Sequence, residues 1–427
     1  MYGVKRIWPW LLLWGIVDLL CALFCEIHAD EAYYRLYGQF LAWGYFDHPP
    51  MVGLMTAVSA ALVPATSLIL KNLSVRLVTV LLHVGTVWVL WQGIQKTELW
   101  KFLLVAASIP MFCAYGFLTT PDAPLLFFAA LFFYAYRRYL TDRSWSATVL
   151  LGLSMAGMMY SKYIAALVIA FAVLGNWRIV KEGRFWAAVG IALALLTPHI
   201  AWQFQHGWPS LVHQWSDRAL GYQPLYTLEF IPNQLAVFNP FVWALMLWLG
   251  AKAILSKDAF QRSLGCVIWG LQVFFFIMTF RGHVEPHWTV AATVPAIILL
   301  TESELMDRKW LRASLAVFVG LILIARVILM LNILPASTGL AHKQEQCEQL
   351  HEQAQGLPIV FDGSFQRPSL YRFFYNDEAV RVRQPNERMN HYDLLHLEDA
   401  LMGQPVCIMR SDTVRFVDAL TKEDLDD

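Results

Sequence analysis

Charge is what this sequence has least of. Only 15% of its 427 residues are Asp, Glu, Lys or Arg, where a soluble protein of that size carries roughly a quarter. Its 32 cations and 32 anions cancel, so no bulk field recruits nucleic acid or an acidic partner. Cysteine is scarce too, with six residues and neither a CxxC pair nor a Cys/His metal spacing. Cys21, Cys25, Cys113 and Cys266 fall inside apolar runs and read as packing residues. Cys347 and Cys407 lie in a polar tail, where an oxidising compartment would allow them to pair. No repeat or low-complexity tract stands out. The first apolar run leads into acids and aromatics without a small-residue cleavage site, so it reads as an uncleaved first span.

What is abundant is apolar surface, at 58% of the residues, with aromatics at 14% and a mean hydropathy of +0.48. It comes in blocks, the pattern of a polytopic membrane protein. With about 20 apolar residues per crossing, the blocks predict eleven spans. They lie near 7–25, 75–94, 101–118, 123–140, 145–160, 163–177, 185–203, 236–254, 263–280, 287–301 and 311–333. Residues 51–66 are apolar but short and read as an interfacial helix. Alternate loops carry Lys5/Arg6, Lys96/Lys101, Arg137/Arg138/Arg143, Arg178/Lys181/Arg184, Lys252/Lys257/Arg262 and Arg308/Lys309/Arg312. The opposite loops hold only Arg35, Lys71, Lys162, Arg218 and Arg281, with Arg76 and Arg326 near span ends. The positive-inside rule then puts the N-terminus in the cytoplasm and the opposite loops outside.

Composition changes near residue 335. "KQEQCEQLHEQAQ" reads as a polar helix, "LPIVFDGS" and "PVCIMRS" as strands, and "PSLYRFFYNDE" as another helix. The expected architecture is an all-α membrane bundle over 1–335 and a small extracytoplasmic α/β domain over 336–427.

The outer loops are acidic and rich in His, Trp and Tyr. The first holds Glu26, His28, Asp30, Glu31, Asp47 and His48. "TTPDAPL" places Asp122 at a helix mouth, and "RGHVEPHW" carries Arg281, His283, Glu285 and His287. Each has a bland explanation. Asp30 and Glu31 suit a helix N-terminus, Asp122 follows an N-cap threonine and proline, Lys162 can snorkel, and the aromatics can form an interfacial belt. Capping does not explain why Asp30, Asp47 and Asp122 converge at the outer ends of neighbouring helices with Lys162 nearby. Ionisable groups at membrane depth are expensive and usually functional. Acids with cations above a bundle suit transfer of a group from a membrane-borne phosphate. A carboxylate takes the proton of an attacking hydroxyl, and Lys, Arg, His or a metal offsets the charge of the leaving phosphate.

"DEAYYRLYGQFLAWGYFDHPPM", followed by "TTPDAPLLFF", "YSKYIAAL" and "PHWTVA", resembles the bacterial branch of the GT-C membrane glycosyltransferases. These are dolichyl-phosphate-mannose-protein mannosyltransferase-like enzymes, a group that includes the lipid A aminoarabinose transferases. The likeness runs over about 1–335. It implies a multi-span bundle with short helices in the first outer loop, moving a sugar from a polyprenyl-phosphate donor to an acceptor outside. By motif it implies Asp30 as catalytic base or acceptor-orienting carboxylate, with Asp122 and Glu31 as further catalytic acids. Asp47 and His48 fall where relatives show "FEKPP", and Tyr33 stands where the aminoarabinose transferases carry Arg, so that specificity is not implied. The donor phosphate then falls to Lys162, His48, Arg35 and Arg281, and the acceptor or sugar to Tyr33, Tyr34, Trp208 and Tyr222. Asp47 and His48, or an outer histidine such as His206, His213 or His283, offer ligand types for a divalent metal at a spacing that is not diagnostic. No nucleotide or organic cofactor is expected. The expected partners are a polyprenyl-phosphate sugar and a lipid or glycan acceptor at the inner membrane. A protein O-mannosyltransferase is the rival within the class. A secondary transporter or lipid flippase is the rival outside it, set back because the charges crowd one face and no duplicated broken helix is visible.

Overall fold

The computed structural model describes residues 4–95, 97–210, 212, 221–375, 379–382, 389–410 and 413–426. The chain is mostly helical, with one small sheet near its C-terminus. Helix α1 (Val4–Phe24) is followed by two short helices, α2 (Ala29–Gln39) and α3 (Met51–Leu62), and by the long α4 (Leu68–Gly93). Next come α5 (Leu99–Ala107), α6 (Pro110–Ala114), α7 (Asp122–Asp142), α8 (Trp145–Ser161), α9 (Ala165–Gly175) and α10 (Gly183–Gln205). Beyond residue 221 lie α11 (Pro224–Phe238), α12 (Pro240–Ile254), α13 (Ala259–Met278), a 3-10 turn (Pro286–Ala292), α14 (Thr293–Thr301) and α15 (Lys309–Met330).

Among the described residues five helices are long and apolar enough to cross a membrane: Ile7–Phe24, Leu68–Gly93, Gly183–Gln205, Ala259–Met278 and Lys309–Met330. The pair α11 and α12 makes a sixth if counted as one broken span, bent by 100°. The bend has a local cause. Asn239 sits at φ +64° and ψ 155°, a backbone conformation that residues other than glycine rarely adopt and that the surrounding contacts must hold. Its side chain accepts from Val242 N at 2.9 Å, capping α12, and donates to the Ser108 carbonyl at 2.7 Å. Three spans read from hydropathy are therefore not single straight helices. The 101–118 run breaks at Ile109 and Pro110, the 236–254 run begins inside α11, and the 287–301 run opens as a 3-10 turn. Proline lacks the N–H that would continue the ladder.

Lipid tails are as apolar as leucine, so helices in a bilayer associate by close packing rather than by escape from water. Small residues sit at the tightest crossings. A side chain at Gly175 would strike the Ser263 backbone, and one at Gly265 would strike the Gly250 carbonyl. One large apolar core runs through the bundle, from Ile7 and Leu11 of α1 to Leu311 and Leu315 of α15, and a smaller one gathers Cys21, Ala22, Val80 and Phe117.

The C-terminal segment adds α16 (Lys343–Gln353), β1 (Ile359–Asp362), α17 (Gln366–Phe374), β2 (Ala379–Val382), α18 (Tyr392–Leu395), β3 (Val406–Arg410), β4 (Thr413–Val417) and α19 (Lys422–Asp426). The sheet order is β2-β1-β3-β4, with β1 parallel to both neighbours and β4 antiparallel to β3. Its two read strands are present, while β2 and β4 are additional. Cys347 and Cys407 are buried in one small core as free thiols. The segment is bound to the stretch between α1 and α2. Glu26 accepts the Lys343 and Gln344 amides at 2.9 and 3.1 Å, placing a carboxylate at the positive end of α16. The buried Lys343 ammonium donates to the Ile27 carbonyl at 2.9 Å.

Candidate active site

The loop after α1 opens with a capping box at the start of α2. His28 accepts from the Asp30 amide at 3.2 Å, and Glu31 reaches back to the His28 amide at 3.0 Å. This pairing satisfies orphan donors at the start of α2. The two neighbouring acids then diverge. Glu31 is fully buried, and its oxygens meet four donors: Arg76 Nε at 2.8 Å, Arg76 Nη2 at 2.6 Å, and the Thr119 and His28 amides at 2.9 and 3.0 Å. Burial would push its carboxyl up, but Arg76 and these amides hold it below the usual carboxylate range. Arg76 also donates to the Ala22, Cys25 and Glu26 carbonyls. Glu31 is thus built into the scaffold rather than aimed at open space. Asp30 keeps a side chain 38% exposed, 3.7 Å from His28 Nδ1. Because that nitrogen already accepts the Asp30 amide, it has no proton to give the carboxylate, which stays open to an incoming hydroxyl.

Asp122 is buried at the mouth of α7, its amide donating to Thr120 Oγ1 at 3.3 Å. Lys162 leaves the chain at the break between α8 and α9 and straddles it, Nζ lying 2.8 and 2.9 Å from the two carboxylate oxygens. Lys162 is buried as well, so it does not snorkel. His287 Nε2 stands 3.8 Å from Asp122 Oδ2, with a third of its ring exposed. The structure therefore sets a partly exposed imidazole beside an enclosed ion pair, and the Thr119 amide bond to Glu31 ties the strand of chain leading to Asp122 to the helix turn that carries Asp30.

Asp47 and His48 serve α2. Asp47 Oδ2 accepts the hydroxyls of Tyr33 at 2.7 Å and Tyr37 at 3.2 Å. His48 Nε2 meets the Tyr34 hydroxyl at 3.2 Å. Tyr33 is closed off from solvent by the C-terminal segment. Its oxygen accepts the His391 amide at 2.8 Å, and its ring packs against Phe365 at 4.2 Å and Tyr392 at 6.2 Å. Burial raises the Tyr33 and Tyr37 hydroxyls well above the ordinary phenol range. The metal reading of Asp47, His48 and His206 fits poorly. Asp47 is taken up by tyrosines, His206 Nδ1 bonds the Trp202 carbonyl at 2.8 Å, and no three His, Cys, Asp or Glu side chains come together among the described residues. His213 lies outside those residues.

Residues 47–202 match the profile of the family described as dolichyl-phosphate-mannose-protein mannosyltransferase, a stretch that holds Asp47, Asp122 and Lys162 but stops short of Asp30. The lipid A galacturonosyltransferase RgtD of Rhizobium johnstonii is 25% identical over 332 residues, covering 71% of this chain and 66% of that protein. The chain thus spans just under two thirds of that relative's length. ArnT from Cupriavidus metallidurans superposes in its apo state with a TM-score of 0.68 at 14% identity, over 94% of this chain and 93% of that one. The same protein bound to undecaprenyl phosphate gives 0.66 at 14% identity, over the same shares of both chains. The chain thus resembles that mannosyltransferase family over residues 47–202 and shares the fold of ArnT.

The remaining expected site residues spread out. Arg35 lies over the Phe373 ring at 6.0 Å, against the C-terminal segment. Arg281 is exposed just beyond α13. Trp208 takes a positive φ of 59° after α10, and Tyr222 stacks on Phe280 at 5.7 Å. Several groups of the candidate site carried no separable signal in the sequence. Arg76 reads as a span-end cation. His287 was visible in "RGHVEPHW", but nothing there ties it to Asp122, 165 residues earlier.

Proposed function

We propose that the chain moves a sugar from a polyprenyl-phosphate donor to a hydroxyl of a lipid or envelope-glycan acceptor at the outer face of the inner membrane. The observation that carries this reading is the open Asp30 carboxylate together with the enclosed Asp122–Lys162 pair, their two segments joined where Glu31 accepts the Thr119 amide. In the proposed step the acceptor oxygen attacks the anomeric carbon and its proton passes to Asp30. The bond from that carbon to the phosphate oxygen breaks with inversion, and polyprenyl phosphate departs with the electron pair. Lys162 and His287 offset the charge developing on that phosphate, with Arg35, His48 and Arg281 as outer cations. A phosphate needs no proton to leave, so one carboxylate base suffices, unlike the acid and base pair of glycosidases. Asp122 holds Lys162 in place. Tyr34 lies nearest the sugar, while Trp208 and Tyr222 offer aromatic faces to the acceptor. No step is routed through a metal.

The relatives support the donor and acceptor classes. ArnT holds undecaprenyl phosphate in one of its structures, and RgtD is named for transfer to lipid A, which makes lipid A the acceptor to test first. Eleven crossings, with the N-terminus cytoplasmic and the 336–427 domain outside, is the topology proposed with this reading; the alternation of basic loops supports it. The name of the matching family favours a second acceptor, a serine or threonine hydroxyl on an exported protein. The test is purified protein in lipid nanodiscs, offered polyprenyl-phosphate sugars or nucleotide sugars, with mass spectrometry of lipid and protein fractions. Consumption of polyprenyl-phosphate sugar with a mass gain on lipid A is expected. A preference for nucleotide sugars would refute the donor class, and labelled protein would move the acceptor to the second reading.

A further inference from the structure

A second set of buried charges lies away from Asp30 and Asp122. Arg326 of α15 donates from Nη1 to Asp18 Oδ1 of α1 at 2.8 Å, and Asp18 Oδ2 meets His83 Nδ1 of α4 at 2.6 Å. All three are buried. Ionisable groups at this depth are costly and are rarely kept without a use. Arg326 has a further partner, because its Nη2 donates to the Cys113 carbonyl at the end of α6. Helix α15 otherwise turns mostly outward, its other buried residues being Leu311 and Leu315 near the opposite end. Arg326 is thus the charged grip of this half of the helix on the bundle, beside the apolar packing of Leu329 and Met330.

What it grips leads to the site. Residues 113–119 turn back from α6 toward α7. Gly116 lies so close to His83 Nδ1 and Asp18 Oδ1 that any side chain there would collide with both. The Phe117 ring sits 5.4 Å from the Arg326 guanidinium and 6.0 Å from that of Arg76. Thr119 donates its amide to Glu31 and its hydroxyl to the Val75 carbonyl at 3.1 Å. Three residues later the chain delivers Asp122. The strap from Cys113 to Thr119 is therefore fastened at one end by Arg326, at the other by Arg76 with Glu31, and pressed in the middle onto Asp18 and His83.

We infer that Asp18, His83 and Arg326 are positioning residues for Asp122, setting through this strap where Lys162 presents its charge. The inference rests on the reading proposed above. It is tested in the full chain in nanodiscs with Arg326→Met, Gly116→Ala and the conservative Arg326→Lys. The readouts are kcat and KM for a polyprenyl-phosphate sugar and hydrogen–deuterium exchange at amides 113–121. For the Met and Ala variants kcat falls at least tenfold, KM for the donor stays within twofold, and exchange over 113–121 quickens at least tenfold. Arg326→Lys recovers at least a third of the wild-type kcat. An unchanged kcat, or faster exchange confined to 309–330, overturns the inference, since the network would then only anchor the last helix. If Arg326→Met does not insert, His83→Gln, which leaves the Asp18–Arg326 pair in place, carries the same expectations at about half the size. Wild-type protein that turns over no polyprenyl-phosphate sugar defeats the functional reading instead, and exchange over 113–121 still decides the strap.

Discussion

Asp30 and Glu31 are adjacent, equally acidic and in the same helical turn, yet their environments assign them opposite jobs. Arg76, 45 residues downstream of Glu31, makes the difference by occupying one carboxylate and not the other. Replacing Asp30 with Asn keeps the size and the cap geometry while removing the base. Transfer is expected to fall ~10²- to 10⁴-fold, the usual yield of general-base catalysis, with thermal unfolding in detergent unchanged; turnover near wild type would remove Asp30 from its role. Asp122→Asn is expected to act on stability as well as on transfer. It strands the buried Lys162 without its counter-ion, a loss of about 3–5 kcal/mol for a broken buried pair. The double variant Asp122→Asn/Lys162→Met should recover most of that stability but none of the activity, which separates the two contributions in one calorimetric series. At this scale the sequence singles out Asp30 and Asp122 as candidates, because acids at the ends of apolar helices are unusual. It offered no means of separating Asp30 from Glu31, since partners so far apart along the chain leave no local pattern.

Helix α2 is an amphipathic element whose apolar side is roofed by residues from the far end of the chain. His391 is wedged edge-on against Tyr37 at 4.9 Å and Tyr45 at 5.0 Å, and neither of its ring nitrogens has a hydrogen-bond partner among the described residues. Burial, with His206 nearby, lowers its pKa to about 3. In the undocked segment the ring returns to its ordinary value near 6.5. The undocked state therefore binds the extra proton, and docking is fully stable above pH 6.5 and weakens as pH falls from 6.5 toward 3. Each unit within that window costs about 1.4 kcal/mol. The protection factors of amides 390–396, corrected for the intrinsic pH dependence of exchange, are expected to fall on acidification to pH 5, and His391→Phe to flatten that response; an equal acid response in the variant would locate the titration elsewhere. The strands around Ile359 and Val406 were readable from short apolar runs, whereas exposed β4 and the two-sided packing of α2 were not. The Asn239 bend was written in "FNPF", but a polar residue before proline is common enough that only the Ser108 contact explains the sharp turn.

Across the whole molecule, the bundle was legible because long apolar blocks admit few alternatives, and the C-terminal segment because its composition changes abruptly. The way they meet was not legible. Glu26 with Lys343, Asp18 with Arg326, and Tyr33 with His391 join residues 317, 308 and 358 positions apart. A chain ending at residue 341 is expected to insert but to leave Tyr33 and Ile27 uncovered. Its α2 should then be cleaved by protease far faster than in the full chain, with transfer reduced at least tenfold; equal resistance and activity would show the segment to be dispensable. The same long-range contacts impose an order on biosynthesis. Asp30, the proposed base, leaves the ribosome 361 residues before His391, which closes over its helix. At about 5–20 residues per second that interval is on the order of half a minute, during which the loop stands half-built at the membrane. A nascent chain of this protein therefore completes its loop contacts long after the loop itself has been made.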